Sequence, residues 1–508
     1  MKKIMLLPIA FCLLVFSCSK DEDPANPENA PDITSFSPTE GPVGETIWIT
    51  GKNFSSTAAD NTVKIGNTVA TVTSAKETEI FITVPEGAIT GAISVTVDGK
   101  TDTAGTFTVT ESTDHAGISL NKNTVELFTL DSETLEVSIT GNVNVEDIVW
   151  SSDDESIAIV DDNGKITGVA EGSAHVTAFI SEEVSTNCIV KVSPSVFAVG
   201  YEEVNGTSVA KFWKNGVATS LTDDTKFAGA TSVFVDGMDI YVSGIEENDN
   251  ELPSAKVWKN GELLYTLSDP SNYGNAHSIY VYNGDVYVAG SETDEDEIAI
   301  AKIWKNGETY ASLMDGGVGS QAYGISVNET GVYTAGFEES EQQENGTPKL
   351  WRDMVQEDLT EGLYHGRAQA LYANGSDIYI AGYEEGENEN SVAKIWINGQ
   401  VIDLTDDVMD SEAYSIFVKE EDVYVAGIVY GNTEDEDQAV VWKNASPTEY
   451  GIGSAASSVY IYDGDVYVGG SVYEGAIPKA SVWKNTEPIA LELTEGAEES
   501  AVLSVFVK

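Results

Sequence analysis

The sequence predicts an all-β protein in which two small β-sandwiches are followed by a seven-bladed β-propeller. Short runs of alternating apolar and polar residues, divided by turn residues, fill residues 31 to 193. Beyond them, a unit with one tryptophan recurs every 41 to 47 residues. Hydrophobic residues make up 41% of the 508, enough for the cores of about three domains. The repeated tryptophans are Trp213, Trp258, Trp304, Trp351, Trp396, Trp442 and Trp483.

Residues 1–17 have the pattern of an export signal, because Lys2 and Lys3 precede an apolar run from Ile4 to Phe16. That run is too short to span a bilayer comfortably. The following "VFSC", ending at Cys18, resembles the lipobox of bacterial lipoproteins. The resemblance implies that Cys18 is lipidated and becomes the mature N-terminus. The alternative is an ordinary signal peptide with an incidental cysteine.

Residues 18–30 comprise Cys18 and then "SKDEDPANPENA", a composition that cannot bury a core and predicts a flexible acidic tether. A lysine followed by acidic residues is similar to the signal that sends lipoproteins of Bacteroidota to the outer face of the outer membrane. The resemblance implies a lipid-anchored protein that faces the cell exterior, with the periplasmic orientation as the alternative. No later segment is apolar enough to cross a membrane.

Residues 31–111 and 116–193 each predict one β-sandwich. The stretch "ITSFSPTEGPVGETIWITGKNF" in the first resembles the IPT/TIG immunoglobulin-like (Ig-like) family. In the second, "IVWSSDDESIAIVDDNGKITGVAEGSAHVTAFI" resembles the bacterial Ig-like domains of group 2. In those families the usual role is spacing or adhesion. Cys188 shares a strand face with Val190 and Val192, which predicts a buried thiol rather than a nucleophile.

Residues 195–508 predict seven blades of four strands each. In the third unit, Asn283-Gly284 and Asn306-Gly307 are tight-turn pairs between strand-like runs, so the unit reads as two hairpins. A period near 45 with four strands is typical of a propeller blade. The chain begins this region with a second-strand sequence and ends with a first-strand sequence. Val502–Val507 should therefore complete the blade that begins at Ser195.

The repeated tryptophan could stack on sugars, but its presence in every unit favours packing between blades. The units resemble uncharacterised lipoprotein propellers with a "WKNG" repeat, and that resemblance implies a fold and no activity.

The composition is strongly acidic, with 84 Asp and Glu against 26 Lys and Arg and a net charge of -58. Such a surface repels nucleic acids and unshielded anionic lipids, so we expect no nucleic acid partner. Only two arginines, Arg352 and Arg367, are present to read phosphate or carboxylate groups in a bidentate manner. We expect a monomer that meets the membrane through its lipid anchor.

The loops between second and third strands hold 24 carboxylates, which we expect at one rim of the propeller. "TDEDE" and "TEDED" offer alternating oxygens that could bind Ca²⁺, although neither matches an EF-hand loop. The alternative is a hydrated acidic surface with no cofactor. The Ca²⁺ candidates are Asp294, Asp296, Asp435 and Asp437.

One position per unit departs from the repeat and predicts a site at the mouth of the central channel. It lies just before the expected first strand and is occupied by Thr231, His277, Tyr323, Gln369, Tyr414, Ser457 and Leu503. A neighbouring loop adds further candidates, Tyr364, His365 and Arg367. From these two sets, His277, Tyr323, Gln369, Tyr414, Tyr364, His365 and Arg367 are the candidate ligand-binding residues. Such a mixed aromatic, amide and imidazole mouth suits a neutral sugar or a peptide. The alternative is a set of turn residues with no ligand.

Catalytic motifs are absent from the sequence, which has four histidines and no zinc, nucleophile-elbow or phosphate-binding pattern. Carboxylate pairs are too abundant to identify a glycosidase acid and base. We therefore predict non-catalytic binding of an extracellular ligand, most plausibly a glycan. The alternatives are a polysaccharide lyase or glycoside hydrolase, and a protein-binding adhesin or envelope assembly factor.

Overall fold

The computed structural model describes residues 30–110, 117–141, 145–181, 184–314, 318–340, 343–433 and 436–508. The predicted signal peptide and the lipidation of Cys18 lie outside the described residues. Within those residues, no helix is long and apolar enough to cross a membrane. The chain divides into two compact units, one reaching to Gly117 with Ile139–Val145, the other comprising Ile118–Ser138 and Glu146–Lys508.

The first unit contains a β-sandwich whose fifth strand belongs to both sheets. Thr68–Ala70 pair with the fourth strand, and Thr71–Lys76 pair with the sixth. Alternate residues such as Ile47 and Ile49 are fully buried, as the alternating sequence predicts. A 3-10 turn covers Ala58–Asp60. The strands are β1 Asp32–Ser37, β2 Glu40–Gly41, β3 Thr46–Lys52, β4 Thr62–Ile65, β5 Thr68–Lys76, β6 Glu79–Thr83, β7 Gly91–Val97 and β8 Lys100–Val109.

The second sandwich packs one four-stranded sheet, β10-β17-β16-β13, with shorter ribbons. Cys188 is buried among Val190 and Val192, and burial raises the pKa of its thiol, so the predicted buried cysteine is confirmed. The ring of Trp150 lies where a side chain at Gly164 would project, which explains the glycine. The strands are β9 Gly117–Leu120, β10 Thr124–Phe128, β11 Ser132–Thr134, β12 Val137–Thr140, β13 Val149–Ser152, β14 Ala158–Val160, β15 Lys165–Gly168, β16 Gly172–Ser181 and β17 Val184–Ser193, with a 3-10 turn at Val145–Asp147.

The propeller consists of seven four-stranded antiparallel sheets in the described part of the chain. Blade 1 holds β18 Val196–Val204, β19 Thr207–Lys214, β20 Val217–Ser220 and β45 Ser500–Val507. Blades 2 to 4 hold β21 Ala228–Asp236, β22 Asp239–Glu247, β23 Pro253–Lys259, β24 Glu262–Thr266, β25 Gly274–Tyr282, β26 Asp285–Thr293, β27 Ala299–Lys305, β28 Glu308–Ser312, β29 Gly319–Asn328, β30 Gly331–Ser340, β31 Gln343–Arg352 and β32 Val355–Asp358. Blades 5 to 7 hold β33 Gly366–Asn374, β34 Asp377–Glu385, β35 Ser391–Ile397, β36 Gln400–Asp403, β37 Ser411–Lys419, β38 Asp422–Val429, β39 Gln438–Lys443, β40 Ser446–Ile452, β41 Ser454–Tyr462, β42 Asp465–Glu474, β43 Ile477–Lys484 and β44 Glu487–Ile489.

The C-terminal strand closes the ring, as predicted. β45 pairs with β18 in blade 1, from Val196 opposite Val507 to Glu202 opposite Ser500. The backbone amides of Ser195 and Lys508 each donate to the carbonyl of the other residue. The predicted fold class, two Ig-like sandwiches followed by a closed seven-bladed propeller, is therefore confirmed.

The repeated tryptophans pack between blades rather than stacking on solvent-facing surfaces. Trp304, on the third strand of blade 3, is fully buried in a core that includes Val257 of blade 2. Trp213 donates its indole N–H to the carbonyl of Glu492 in the chain that leaves blade 7, at 2.9 Å. The predicted packing role is confirmed.

The "WKNG" signature builds the turn between third and fourth strands. In blade 3, Asn306 has a positive φ of 51°, and its Oδ1 accepts a hydrogen bond from the amide of Val286 at 2.9 Å. Its Nδ2 donates to Asp285, which also pairs with Lys305 at 2.8 Å. The ammonium of Lys305 lies 4.8 Å from the ring centroid of Tyr287. The repeat thus links two adjacent hairpins and needs no ligand.

In blades 2 to 7 the first-to-second and third-to-fourth hairpin turns lie at the same end of the blade, which we call the turn end; in blade 3 they are residues 283–284 and 306–307. The loop end is opposite and carries the second-to-third loops, such as residues 294–298. The second Ig-like domain contacts the turn end of blade 1. Thr129 Oγ1 donates to the carbonyl of Lys508 at 2.6 Å, and Asp131 pairs with Lys214 at 2.5 Å.

Candidate functional site

The seven positions predicted at the channel mouth are bulged residues of the first strands. In blade 3 the pairing of first and second strands shifts register between Ala276 and Ser278, so His277 is the extra residue. The expectation that this residue precedes the strand is wrong, because β25 begins three residues earlier, at Gly274. The first and second strands remain paired before and after the bulged residue. The same shift occurs at Thr231, Tyr323, Gln369, Tyr414, Ser457 and Leu503.

The first strands line the central axis, because those of consecutive blades contact one another. In blades 1, 2, 6 and 7 a serine one residue after the bulge accepts a hydrogen bond from an amide of the next first strand, as Ser415 does from Val459 at 3.1 Å. Blade 4 has Gly324 at this position, where a Cβ would lie 2.8 Å from the amide nitrogen of Leu371. Thr231 donates to the carbonyl of Ala276 at 2.7 Å and therefore has a structural bond of its own.

A row of aromatic and basic side chains crosses blades 3 to 5 at the loop end. The rings of His277 and Tyr323 lie 4.9 Å apart between centroids, and those of Tyr323 and Phe337 stack at 5.9 Å. The guanidinium of Arg367 lies 4.9 Å from the Phe337 centroid. We call these four residues the mouth row. Its members come from three successive blades, so the row depends on how these blades pack against one another.

Two nitrogen atoms of the mouth row are buried without a hydrogen-bond partner among the described residues: Nε2 of His277 and Nε of Arg367. Burial lowers the pKa of His277 to about 4, so its imidazole is neutral at pH 7. Buried polar atoms are usually paired, and an exception calls for an explanation such as a water or a ligand.

Tyr414 lies in a second group on blade 6. Its hydroxyl is 2.7 Å from the hydroxyl of Tyr430. Burial raises the pKa of Tyr414, and the nearby carboxylate of Glu412 adds to the rise. Burial also raises the pKa of Glu412 above its ordinary value, while Tyr414 and then Arg367 oppose that rise. Arg367 thus links this group electrostatically to the mouth row.

The remaining candidate residues, His365, Tyr364 and Gln369, lie outside the mouth row. Nδ1 of His365 accepts a hydrogen bond from the amide of Gly346 at 3.1 Å, and burial together with Arg367 lowers the pKa of His365. The ring of Tyr364 is exposed. Gln369 is half-buried at its bulge. The structure therefore brings together His277, Tyr323 and Arg367 through Phe337, and Tyr414 beyond them.

A ring of aromatic side chains lies farther along the first strands, toward the turn end. Contacts at centroid distances of 4.6 to 5.5 Å run round the axis, and Ser326 of blade 4 interrupts them. Sequence analysis missed this ring, although an aromatic residue three positions after the bulge in six blades was a visible signal. Its members are Phe234, Tyr280, Tyr372, Phe417, Tyr460 and Phe506.

Some carboxylates predicted at the acidic rim are internal instead. Glu202 is fully buried and pairs with Lys211 at 2.8 Å. Equivalent Glu–Lys pairs occur in blades 2 to 5, at 3.3 to 3.9 Å. These glutamates occupy second strands, so they brace the sheet rather than face a ligand.

Two of the Ca²⁺ candidates accept hydrogen bonds from backbone amides. Oδ1 of Asp294 accepts the amides of Asp296 and Ile298, each at 2.9 Å, and Asp437 is buried and accepts the amide of Gly431. Asp435 lies outside the described residues. Within those residues, no group of three or more His, Cys, Asp or Glu side chains could hold a metal ion.

Both predicted Ig-like domains match known families. Residues 31–110 match the IPT/TIG domain, and residues 114–190 match the bacterial Ig-like domain of group 2. Two uncharacterised proteins of Clostridium acetobutylicum are 37% and 34% identical over 79 residues, or 15% of this chain. The matches cover 20% and 8% of those relatives, so this chain spans a fifth of their length or less.

Solved structures with a similar fold include a protein of unknown function from Bacteroides thetaiotaomicron, with 11% identity, a TM-score of 0.29 and coverage of 95% of this chain and 99% of that one. An auxiliary nutrient binding protein from Bacteroides ovatus has 11% identity, a TM-score of 0.25 and coverage of 88% and 96%. The β-propeller domain of the trilobed protease from Pyrococcus furiosus has 13% identity, a TM-score of 0.34 and coverage of 66% and 95%. TM-scores this low do not bear on what this chain binds.

Proposed function

We propose that this protein is a non-catalytic lipoprotein of the outer membrane that faces the cell exterior and binds an extracellular glycan at the loop end of its propeller. The two Ig-like domains act as spacers. The observation that carries the proposal is the mouth row, in which aromatic rings lie between two side chains with unpartnered, buried nitrogen atoms.

Sugar recognition needs flat apolar faces for the C–H groups of the ring and a few fixed polar groups for its hydroxyls. Tyr323 supplies a flat apolar face, and the neutral imidazole of His277 supplies a fixed polar group.

The position of the second Ig-like domain supports display of this end, because that domain contacts the turn end at Lys214 and Lys508. The lipid anchor would be attached to Cys18, and its support is the lipobox-like sequence that ends there. Cys18→Ser should release the protein from membranes, and protease shaving of intact cells should remove the wild-type propeller. Full protection of the propeller in intact cells would contradict the exterior orientation.

Arrays of extracellular glycans, probed with the purified full chain, test the binding activity. We expect retention of a subset of glycans and, on product analysis after long incubation, no change in their length. Shortened or unsaturated products would replace the binding proposal with that of a hydrolase or lyase. Retention of no glycan would overturn it.

Paired substitutions then locate the site. Tyr323→Ala with Tyr414→Ala should weaken binding of the array ligand by about 1 kcal/mol or more per ring, while the propeller stays folded. Trp304→Ala is the control for stability, because it leaves an inter-blade cavity that costs about 3 to 5 kcal/mol and removes a side chain outside the mouth row. Unaltered affinity in the double variant would exclude the channel mouth.

A further inference from the structure

Most basic side chains of the propeller have an acidic partner, as expected for a chain of net charge -58. Lys479 and Lys508 donate to backbone carbonyls instead, and Lys419 is exposed. The side chains in ion pairs are Lys211, Lys214, Lys226, Lys256, Lys259, Lys302, Lys305, Lys349, Arg352, Lys394, Lys443 and Lys484.

Arg367 is the basic residue of the mouth row, and it too lacks an acidic partner among the described residues. It is half-buried over the ring of Phe337, and among the described residues no carboxylate lies within 4.0 Å of its nitrogen atoms. Its Nε atom is buried and has no hydrogen-bond partner there. Withdrawing a guanidinium from water is costly unless a charge or acceptor compensates it. In a protein with so many carboxylates, a cation kept free of them at a channel mouth indicates an anionic ligand group.

Glu412 forms no ion pair with Arg367 within 4.0 Å. Burial raises the pKa of Glu412, while Tyr414 and then Arg367 oppose that rise, so the two charged groups interact only at longer range. A guanidinium presents a planar fork of N–H groups, and a carboxylate is the group that matches this fork with two parallel hydrogen bonds.

The rest of the mouth row restricts what else the ligand carries. Tyr323 stacks on Phe337 on one side and contacts His277 on the other, so a ring with apolar C–H groups fits beside it. The neutral imidazole of His277 offers Nε2 to a hydroxyl. The net charge of -58 repels a long polyanion, so a ligand with few negative charges is favoured.

We infer that the mouth row binds a carboxylate-bearing sugar, a hexuronate unit of an otherwise neutral glycan, with its carboxylate on Arg367 and its ring beside Tyr323. The inference rests on the proposed glycan-binding function. It differs from the neutral sugar or peptide expected from the sequence, because the structure shows no acidic partner of Arg367 within the part of the chain that it describes.

The test compares two matched probes on the full chain by titration calorimetry: a neutral oligosaccharide that ends in one glucuronate residue, and the same compound with its carboxyl group reduced to the alcohol. The acidic probe should bind at least about tenfold more tightly. Equal affinity for both probes would overturn the inference and leave the glycan-binding function standing. Failure of both probes, together with an array that retains no glycan, would overturn the function itself.

Two variants assign the carboxylate to Arg367. Arg367→Gln should reduce the preference for the acidic probe to less than about threefold. Arg352→Gln changes the net charge equally but lies at the turn end, paired with Glu357 at 3.4 Å, and should keep the preference. Arg367→Lys keeps the charge without the planar fork and should retain an intermediate preference if Arg367→Gln does not fold. A full preference in folded Arg367→Gln or Arg367→Lys would overturn the assignment.

Discussion

His277 illustrates at the scale of one residue how a site arises within a repeat. Ala276 and Ser278 on either side follow the pattern of the other blades, and the bulge between them leaves one side chain outside that pattern. Strand pairing on both sides of the bulge fixes the backbone, so the residue type at the bulge can vary from blade to blade. Because the imidazole is buried without a partner in the described structure, its protonation is linked to folding.

We expect the free energy of unfolding to fall as the pH drops below about 6.5, because the unfolded imidazole then binds a proton that the folded one, with a pKa of about 4, does not. The loss contributed by this residue is about 1.4 kcal/mol per pH unit between those values. Urea unfolding near pH 7 and near pH 4.5 measures it. His277→Gln should lose about 2 kcal/mol less over this range, whereas an equal loss in both proteins would assign the titration to other groups.

At the scale of the element, each blade is stabilised by its hairpins and by side-chain contacts that join them. The Asn of the third-to-fourth turn accepts an amide at the start of the second strand in every blade except blade 4, where Asp353 does so. This regularity explains why "WKNG" recurs without a ligand. The Glu–Lys pairs of blades 1 to 5 join the second and third strands in the same way. Blade 6 has Val429 and Val440 at the corresponding positions.

Asn306 and Asn283 separate two contributions to a turn. Both have a positive φ near 51°, but only Asn306 forms side-chain hydrogen bonds within the described residues. Replacing either by alanine removes the asparagine preference for this conformation. Asn306→Ala should cost about 1 to 2 kcal/mol more than Asn283→Ala, because it also leaves the amide of Val286 unpaired. Equal losses in chemical denaturation would show that the side-chain bonds contribute nothing.

At the scale of the whole molecule, the second unit is held by contacts far apart in sequence. β45 pairs with β18 across almost the full propeller sequence, and Thr129 of the Ig-like domain caps the carbonyl of Lys508 at the end of β45. The Ig-like domain therefore contacts the strand that closes the ring.

Deleting Ala501–Lys508 should destabilise all seven blades, because it removes a first strand and exposes an edge in an otherwise closed ring. The near-ultraviolet circular dichroism of the buried tryptophans, followed during heating, reports this loss. Lys508→Ala is the control, since it keeps the backbone pairing of β45 and should melt close to the wild type. A deletion variant that melts like the full chain would contradict ring closure by β45.

The sequence alone determined the two Ig-like domains, the seven blades and the closing strand, because alternation, Asn-Gly turns and tryptophan spacing are short-range patterns with local physical causes. It also identified the variable position per blade that the structure shows as a bulge. Tertiary structure decided which of these residues meet. Arg367 reaches Phe337 of the preceding blade, and Glu202 turns inward to Lys211. Such contacts depend on how neighbouring sheets are placed and on the space each side chain finds between them, and neither quantity is encoded in a local pattern.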